Sequence, residues 1–320
     1  MAEMNNSVSK IPQHIFRNYI VEKLRVVNPH LAYATDESAQ VLGGAVVHIP
    51  NAGASPSVVK NRKSFPASAA LRDDSMVIYP LDVYSTDPTH VPWHEQNETS
   101  YNKLDSVLGD HVATLADTVG DNMFYNWVTG YNGQMGAVNI PSTHIISTTG
   151  ASTSVKEAGQ TGNRKAFTYA DLQNAQALMN KQNVPLTDRY ACLESYQLQQ
   201  LITSLSGNQM AAFQQSADLA NGVIGMLCGF KILERSRVLV FTSAGVPKLP
   251  GEAFAASDNV GALCWQKNSV AKALGETKLF RNADDPLYYG DVISALVKMG
   301  GRCRRADWAG LVAIVQASAS

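Results

Sequence analysis

Apolar residues recur at three- and four-residue steps along one unusually long stretch of the chain. Leu104, Leu108, Val112, Leu115, Val119, Met123 and Trp127 follow one another in this way, with His111 beside Val112. That spacing marks one face of an α-helix and predicts a helix from about Glu98 to Thr129. Asn97 or Thr99 can cap its start and Gly130 can end it. About 30 residues at 1.5 Å rise make a rod of roughly 45 Å, longer than an ordinary domain needs. Gly120 weakens its middle and marks a candidate bend.

A second helix is signalled by Phe167-Thr168-Tyr169-Ala170-Asp171-Leu172. Thr168 caps it with Asp171 returning, Phe167 and Leu172 form a hydrophobic staple, and Asn183-Val184-Pro185 stops it. A third helix carries Leu198, Leu201, Ile202 and Leu205 and is expected to end at Gly207. Strands are expected at Tyr190 to Leu193, Gly225 to Leu233, Val238 to Phe241, Leu263 to Gln266, Thr277 to Phe280 and Leu311 to Val315. Val292 to Met299 fits helix or strand by period alone. Near the N-terminus, Ile15, Phe16, Tyr19, Ile20 and Leu24 recur at helical spacing between Pro12 and Pro29, which predicts a short amphipathic helix on an extended arm.

Between these parts lies a segment of another kind. Ala45 to Pro50 and Met76 to Tyr84 read as strands, and some 25 residues rich in Ser, Ala, Asn and Pro join them. A structureless connection of that length signals a binding loop or a disordered one. A two-stranded ribbon is marginal alone in water, so something beyond it should brace it. The sum is α+β, with one very long helix, two projecting extensions, and neither repeats nor a separating linker.

Composition narrows the class. The 320 residues are 45% hydrophobic and 17% charged, with a net charge of −1. This favours a folded chain and disfavours a dedicated nucleic-acid reader, which carries a basic excess. No apolar run approaches the roughly 20 residues of a membrane helix, and no secretory signal is visible at the start. The isolated Cys192, Cys228, Cys264 and Cys303 read as reduced structural thiols of a cytoplasm-like compartment.

Catalytic and cofactor signals are absent. Gly130-x-x-Gly133-x-x-Gly136 lacks the Lys-Ser/Thr pair and the preceding strand of a phosphate loop. Thr242-Ser243-Ala244-Gly245 lacks the first glycine of a nucleophile elbow and reads as a turn. His90 and His94 stand four apart, but Pro92 forbids the helix that would pair them on a metal, so they read as a strand-to-helix junction. Asp73-Asp74 and Asp284-Asp285 read as solvated turns, and His111 as a packed side chain. Asn97-Glu98-Thr99 is a glycosylation sequon by pattern only. A dispersed serine–histidine–acid set stays open, since its members can lie far apart along a chain.

The basic residues carry more content. Lys10, Arg17, Lys23 and Arg25 concentrate in the N-terminal arm, as a solvated face or for sequence-independent contact with phosphates. Lys60, Arg62 and Lys63 in the long loop can meet acidic groups of a neighbouring subunit.

The order of these parts resembles the major capsid proteins of tailed bacteriophages, with the Hong Kong 97-type fold. Val47-His48-Ile49-Pro50 looks like the strand opening the extended E-loop. Leu104 to Trp127, with Leu115-Ala116-Asp117-Thr118-Val119, looks like the spine helix. Phe167 to Leu172, Leu178-Met179-Asn180 and Asn183-Val184-Pro185 look like the helix entering the apical region. Asn221-Gly222-Val223-Ile224-Gly225 with Gly229-Phe230-Lys231-Ile232 is similar to a glycine-punctuated apical strand. Tyr289-Gly290-Asp291-Val292, Gly300-Gly301 and the last apolar strand resemble the C-terminal end.

The resemblance tips Val292 to Met299 towards strand. It implies an N-terminal arm over 1–35, the E-loop and its base strands over 36–95, a peripheral (P) domain with the spine helix over 96–185, an apical (A) domain mainly over 186–285, and C-terminal strands returning over 286–320. It also implies a structural protein without catalysis or cofactor. Such proteins form hexamers and pentamers of an icosahedral head around double-stranded DNA, with scaffolding, portal and decoration proteins as partners, in a virion assembled in the host bacterial cytoplasm. The short stretch before the arm implies a separate scaffolding protein or a prior cleavage. Two alternatives stand beside it: an encapsulin-like shell around cargo enzymes, and a soluble α+β hydrolase.

Overall fold

The computed structural model describes residues 28–40, 46–53, 55–63, 65–67, 69, 71–93, 103–130 and 139–319. Elements are numbered in chain order. The expected long helix is α1 (Lys103–Val128); its expected start before Lys103 lies outside the described residues. Its 26 residues span roughly 39 Å. Buried positions come in pairs four apart (111/112, 115/116, 119/120, 123/124, 127/128), which makes a broad stripe from residue 111 to residue 128.

That stripe lies between two sheets. One is mixed and seven-stranded, in the order β10 (Val223–Leu227), β11 (Phe230–Arg235), β9 (Arg189–Glu194), β13 (Asn259–Gln266), β16 (Leu311–Val315), β6 (Ile145–Ser147), with β12 (Leu239–Phe241) also paired to β13. Every residue of β9, β13 and β16 is buried, because both faces of the sheet are covered. Tyr190, Cys192, Leu263 and Trp265 join the α1 core on one face. On the other face Ala191, Leu193, Ala262, Cys264, Val312 and Ile314 meet the helices α2 (Tyr169–Lys181), α3 (Ser195–Ser204) and α4 (Gly207–Gln215).

The second sheet is dominated by a long hairpin, β14 (Val270–Asp285) and β15 (Gly290–Cys303). The two-residue β1 (Thr35–Asp36) adds to β14, while β4 (Asp82–Ser85) and β5 (Thr89–Pro92) lie end to end along the free edge of β15. Ala295, Val297 and Met299 point from β15 into the α1 core. β17 (Ser318–Ala319), β8 (Asn163–Lys165) and β7 (Ser152–Ser154) pair as a small separate sheet, and β2 (Val46–Asn51) and β3 (Ser75–Pro80) pair as a two-stranded ribbon. Val292 to Met299 is strand, as the resemblance implied.

The cap of α2 forms as its sequence dictates. Asp171 accepts from the Thr168 backbone N–H (2.8 Å) and hydroxyl (2.9 Å), and from the Thr149 hydroxyl (2.8 Å). Phe167 and Leu172 are fully buried. Three expectations are corrected. Gly225 to Leu233 is no single strand: Cys228 (φ 50°) and Gly229 (φ 75°) make a two-residue left-handed turn that splits it into the β10–β11 hairpin. Gly207 does not end a helix; α3 stops at Ser204, and Gly207 opens α4 behind a Ser206/Gln209 capping box. Gly120 does not break α1. A Cβ there would run into Asn28 Oδ1 and Arg235 Nη2, so the glycine makes room for the incoming chain.

That incoming chain is pinned by aromatic packing. His30 stacks on Phe124 at 4.1 Å, and Tyr33 on Tyr190 at 4.2 Å. Tyr190 stacks in turn on Trp265, which tilts against Trp127 at 5.4 Å. The indole N–H of Trp265 donates to the Tyr33 carbonyl (3.1 Å), and that of Trp127 to the Ala271 carbonyl (3.0 Å). Asn28 Nδ2 donates to the Ala116 carbonyl at 2.6 Å.

Candidate assembly surfaces

The base of the β2–β3 ribbon is held by its own chain. Val47, Ile49, Val77 and Tyr79 bury against Leu81 and against Ala271 and Ala273 of β14. Buried Glu37 accepts from Tyr79 Oη (3.0 Å) and from Arg304 Nε (2.7 Å), and Arg302 Nη1 donates to the Ile78 carbonyl (3.2 Å). Burial and the Glu37 charge both push the Tyr79 phenol upward, so it stays a neutral donor. The bracing expected from outside the ribbon is therefore partly internal, and it stops at the base.

Beyond Asn51 and Ser75 the connection turns its apolar side chains outward. Val58 is 95% exposed, Leu71 98% and Phe65 78%. Lys60 and Lys63 are exposed here and Arg62 is half-buried; among the described residues none of the three meets a carboxylate. The arm cations Lys10, Arg17, Lys23 and Arg25 lie outside the described residues. So do His94, Asn97, Gly133 and Gly136, while His90 sits on strand β5.

Sequence reasoning missed a second exposed apolar tip. At the outer end of the β14–β15 hairpin, Leu287 and Tyr289 are more than four-fifths exposed, with Tyr288 and Trp93 beside them. Trp93 N–H donates to the Tyr289 carbonyl (3.0 Å), and the His90 ring lies 5.6 Å from Tyr288. Its signal was a turn, Pro286-Leu287-Tyr288-Tyr289-Gly290, made of large apolar residues where polar ones are usual.

A third feature is a cleft of about 560 Å³ between α1, the segment 236–240 and the loop 248–254. Its lining includes the apolar Val238, Leu239, Val240, Leu249 and Phe254 and the acidic Glu157, Glu252 and the buried Glu194. Glu194 caps α3 by accepting from the Tyr196 N–H (3.0 Å). Burial pushes its carboxyl upward, the Tyr196 and Gln197 N–H groups pull it back, and the Glu157 and Glu234 charges add to the rise.

The catalytic alternatives gain little from this geometry. Thr242 to Gly245 closes a turn through the Gly245 N–H and the Thr242 carbonyl (2.9 Å). Among the described residues no three His, Cys, Asp or Glu side chains gather around a possible metal position. The four cysteines are free; burial pushes the Cys192 thiol up to about 12 and Cys303 to about 11, which leaves poor nucleophiles. No described helix is long and apolar enough to cross a membrane.

A long helix clasped between a long hairpin and a mixed sheet, with a ribbon projecting beside it, is the Hong Kong 97-type capsid architecture. Solved structures share it. The chain matches the capsid asymmetric unit of cyanophage Pam1 with a TM-score of 0.61 at 10% identity, over 88% of this chain and 87% of that one. It matches a structure from Mycobacterium phage Che8 with a TM-score of 0.52 at 18% identity, over 88% and 89%. It also matches the virus-like particle from Pyrococcus furiosus with a TM-score of 0.52 at 8% identity, over 95% and 98%. No family model matches the sequence, and no curated protein does. The chain thus has the tailed-phage capsid fold at low sequence identity to the solved structures that share it.

Proposed function

We propose that the chain is a structural major capsid protein, which assembles as hexamers and pentamers into the icosahedral head of a tailed phage. The observation that carries this is the pairing of the fold with its exposed apolar ends. Val58, Phe65 and Leu71 on the ribbon, and Leu287 and Tyr289 on the hairpin, project from elements whose bases are tightly packed. A rigid base holding an unburied apolar end is the build of a part that finishes folding on a neighbour.

In this reading residues 36–95 form the extended loop and its base, 96–185 the peripheral region, 186–285 mainly the apical region, and 286–320 the returning strands. Lys60, Arg62 and Lys63 meet acidic groups of the adjacent copy. Lys10, Arg17, Lys23 and Arg25 face inward, where double-stranded DNA is held by non-specific contact. Scaffolding and portal proteins are the partners during assembly in the bacterial cytoplasm, and the finished location is the virion.

Size-exclusion chromatography with light scattering, followed by electron microscopy, tests the reading. Capsomers or shells are expected, alone or with a scaffolding protein. A monomer that persists at high concentration with scaffolding protein present overturns it. The nucleic-acid content of the particles separates a DNA-filled head from a shell around cargo enzymes.

A further inference from the structure

We propose that Glu37 is the positioning residue of the β2–β3 ribbon: its buried carboxylate fixes the direction in which the ribbon projects from the hairpin sheet. The apolar base supplies adhesion but little direction. It stands on the short side chains of Ala271 and Ala273. The chain passes from β3 to β4 through the single residue Leu81, whose side chain lies over two glycines. A Cβ on Gly275 would come within 2.8 Å of Leu81 Cδ1, and one on Gly300 within 3.0 Å of Leu81 Cδ2 and 2.7 Å of the Pro80 carbonyl oxygen. A seat of alanine and glycine offers few side-chain ridges to interdigitate with the ribbon, so packing alone constrains its tilt weakly.

The polar contacts supply what the seat lacks. Glu37 uses its two oxygens separately: Oε2 accepts from Tyr79 Oη (3.0 Å) on the ribbon, and Oε1 from Arg304 Nε (2.7 Å) just past the end of β15. Both Glu37 and Arg304 are clamped at the backbone. The Glu37 N–H donates to the Lys272 carbonyl (2.8 Å) beside the β1–β14 pairing, and the Leu274 N–H donates to Ser38 Oγ (2.8 Å). The Arg304 N–H donates to the Ser269 carbonyl (2.8 Å), and its Nη1 to the Asn268 carbonyl (3.1 Å). The carboxylate is therefore held in the frame of the β14–β15 hairpin and transfers that frame to Tyr79. Arg302 Nη1 adds a bond to the Ile78 carbonyl (3.2 Å) next door. A hydrogen bond has a preferred line where apolar contact has none, and two lines at adjacent residues of β3 set an angle. The consequence for assembly rests on the capsid reading: Val58, Phe65 and Leu71 lie beyond this base, and a ribbon held at one angle meets a neighbour already ordered.

Double electron–electron resonance on the full-length protein, kept below its assembly concentration, reads the angle. Spin labels go on Ser75→Cys of β3 and Asn174→Cys of α2 in a Cys228→Ser background; both sites are exposed, and the other three cysteines are buried. One narrow distance peak is expected. Tyr79→Phe keeps the ring and removes the ribbon's donor. Glu37→Gln keeps the shape but offers one acceptor oxygen to two donors. Each is expected to lose the single peak, and the double variant to resemble the singles, because all three break one linkage. Ile49→Val trims the apolar base by a methylene and is expected to keep the peak, with urea midpoints placing every variant on one scale of stability. A broad distribution in the wild type, a peak retained in both Tyr79→Phe and Glu37→Gln, or equal broadening in Ile49→Val at a matched midpoint overturns the proposal. If the chain forms particles while those two variants keep the peak, the inference falls and the capsid reading stands. Loss of the peak in variants of a chain that never assembles leaves the inference and removes the capsid reading.

Discussion

The seven-stranded sheet and the β2–β3 ribbon use the same kinds of residue and treat them in opposite ways. In the sheet, each residue of β9 and β13 is buried, and the same is true of the aromatic set that joins Trp265 to Trp127 and Phe124. In the ribbon, burial ends within one strand length. Val47 and Tyr79 are inaccessible, yet Val58 and Phe65 lie almost bare. The sheet completes its hydrophobic contacts inside one chain. The ribbon completes them only at its base, and the apolar side chains of its free end stay exposed. A substitution in the first region should show itself as instability, and one in the second as failure to associate.

The largest effect is expected at Trp127. It is fully buried, donates to the Ala271 carbonyl, and contacts Phe124 and Trp265. Trp127→Ala should cost about 3–5 kcal/mol, the range for removing a buried aromatic side chain. Urea denaturation of the monomer measures it. A loss below about 1 kcal/mol would break the comparison, since it would mean that the spine core repacks freely.

The spine was legible because its information is local. Leu108 to Trp127 repeat at the helical period, and Thr168 with Asp171 announces a helix start within four residues. Turns that break the usual chemistry were not legible. Cys228 occupies a left-handed position that asparagine or glycine normally takes, so two strands read as one. Gly207 looked like a terminator because glycine usually is one, although Ser206 and Gln209 were spelling a new start. The cleft could not be read at all. Its walls come from residues near 121, 157, 194, 238 and 250, and only the tertiary fold brings them together. Exposure of the Leu287–Tyr289 tip is likewise a property of the folded molecule, since an apolar turn reads as buried until the fold shows nothing above it.

A smaller effect is expected from pH in the core around α1, where His30 packs on Phe124 and Trp127. His30 is buried against Phe124, and burial holds its pKa well below the ordinary value of 6.5. The Arg235 guanidinium from β11 presses the same way, the Gly120 backbone opposes it, and the Lys272 ammonium from β14 adds a smaller push downward. Asp121 on α1 faces the site through its pair with Arg235. With the folded pKa depressed, the unfolded chain binds the proton first as pH falls through about 6.5, so stability is lost towards acid. His30→Phe keeps the stacking and removes the proton site. Its urea midpoint should change less than that of the wild type between about pH 7.5 and pH 5. Equal losses in both proteins would place the acid sensitivity elsewhere.

The smallest effect on the fold belongs to the ribbon's free end, and there the comparison is sharpest. Phe65→Ser and Leu71→Ser remove large side chains that are 78% and 98% exposed. Neither touches a buried cluster, so each should shift monomer stability by no more than about 0.5 kcal/mol, as exposed substitutions do. Assembly should respond differently. If these side chains are buried on a neighbour, the double variant loses two apolar anchors per contact, and the loss repeats at every copy of a closed shell. Light scattering should then show monomers or isolated capsomers under conditions where the wild type forms particles. An intact core with failed assembly confirms that the two regions divide the labour. Normal particles from the double variant would instead make the exposed loop a bystander and transfer the association to the Leu287–Tyr289 tip, whose own serine variants would then be the ones to abolish it.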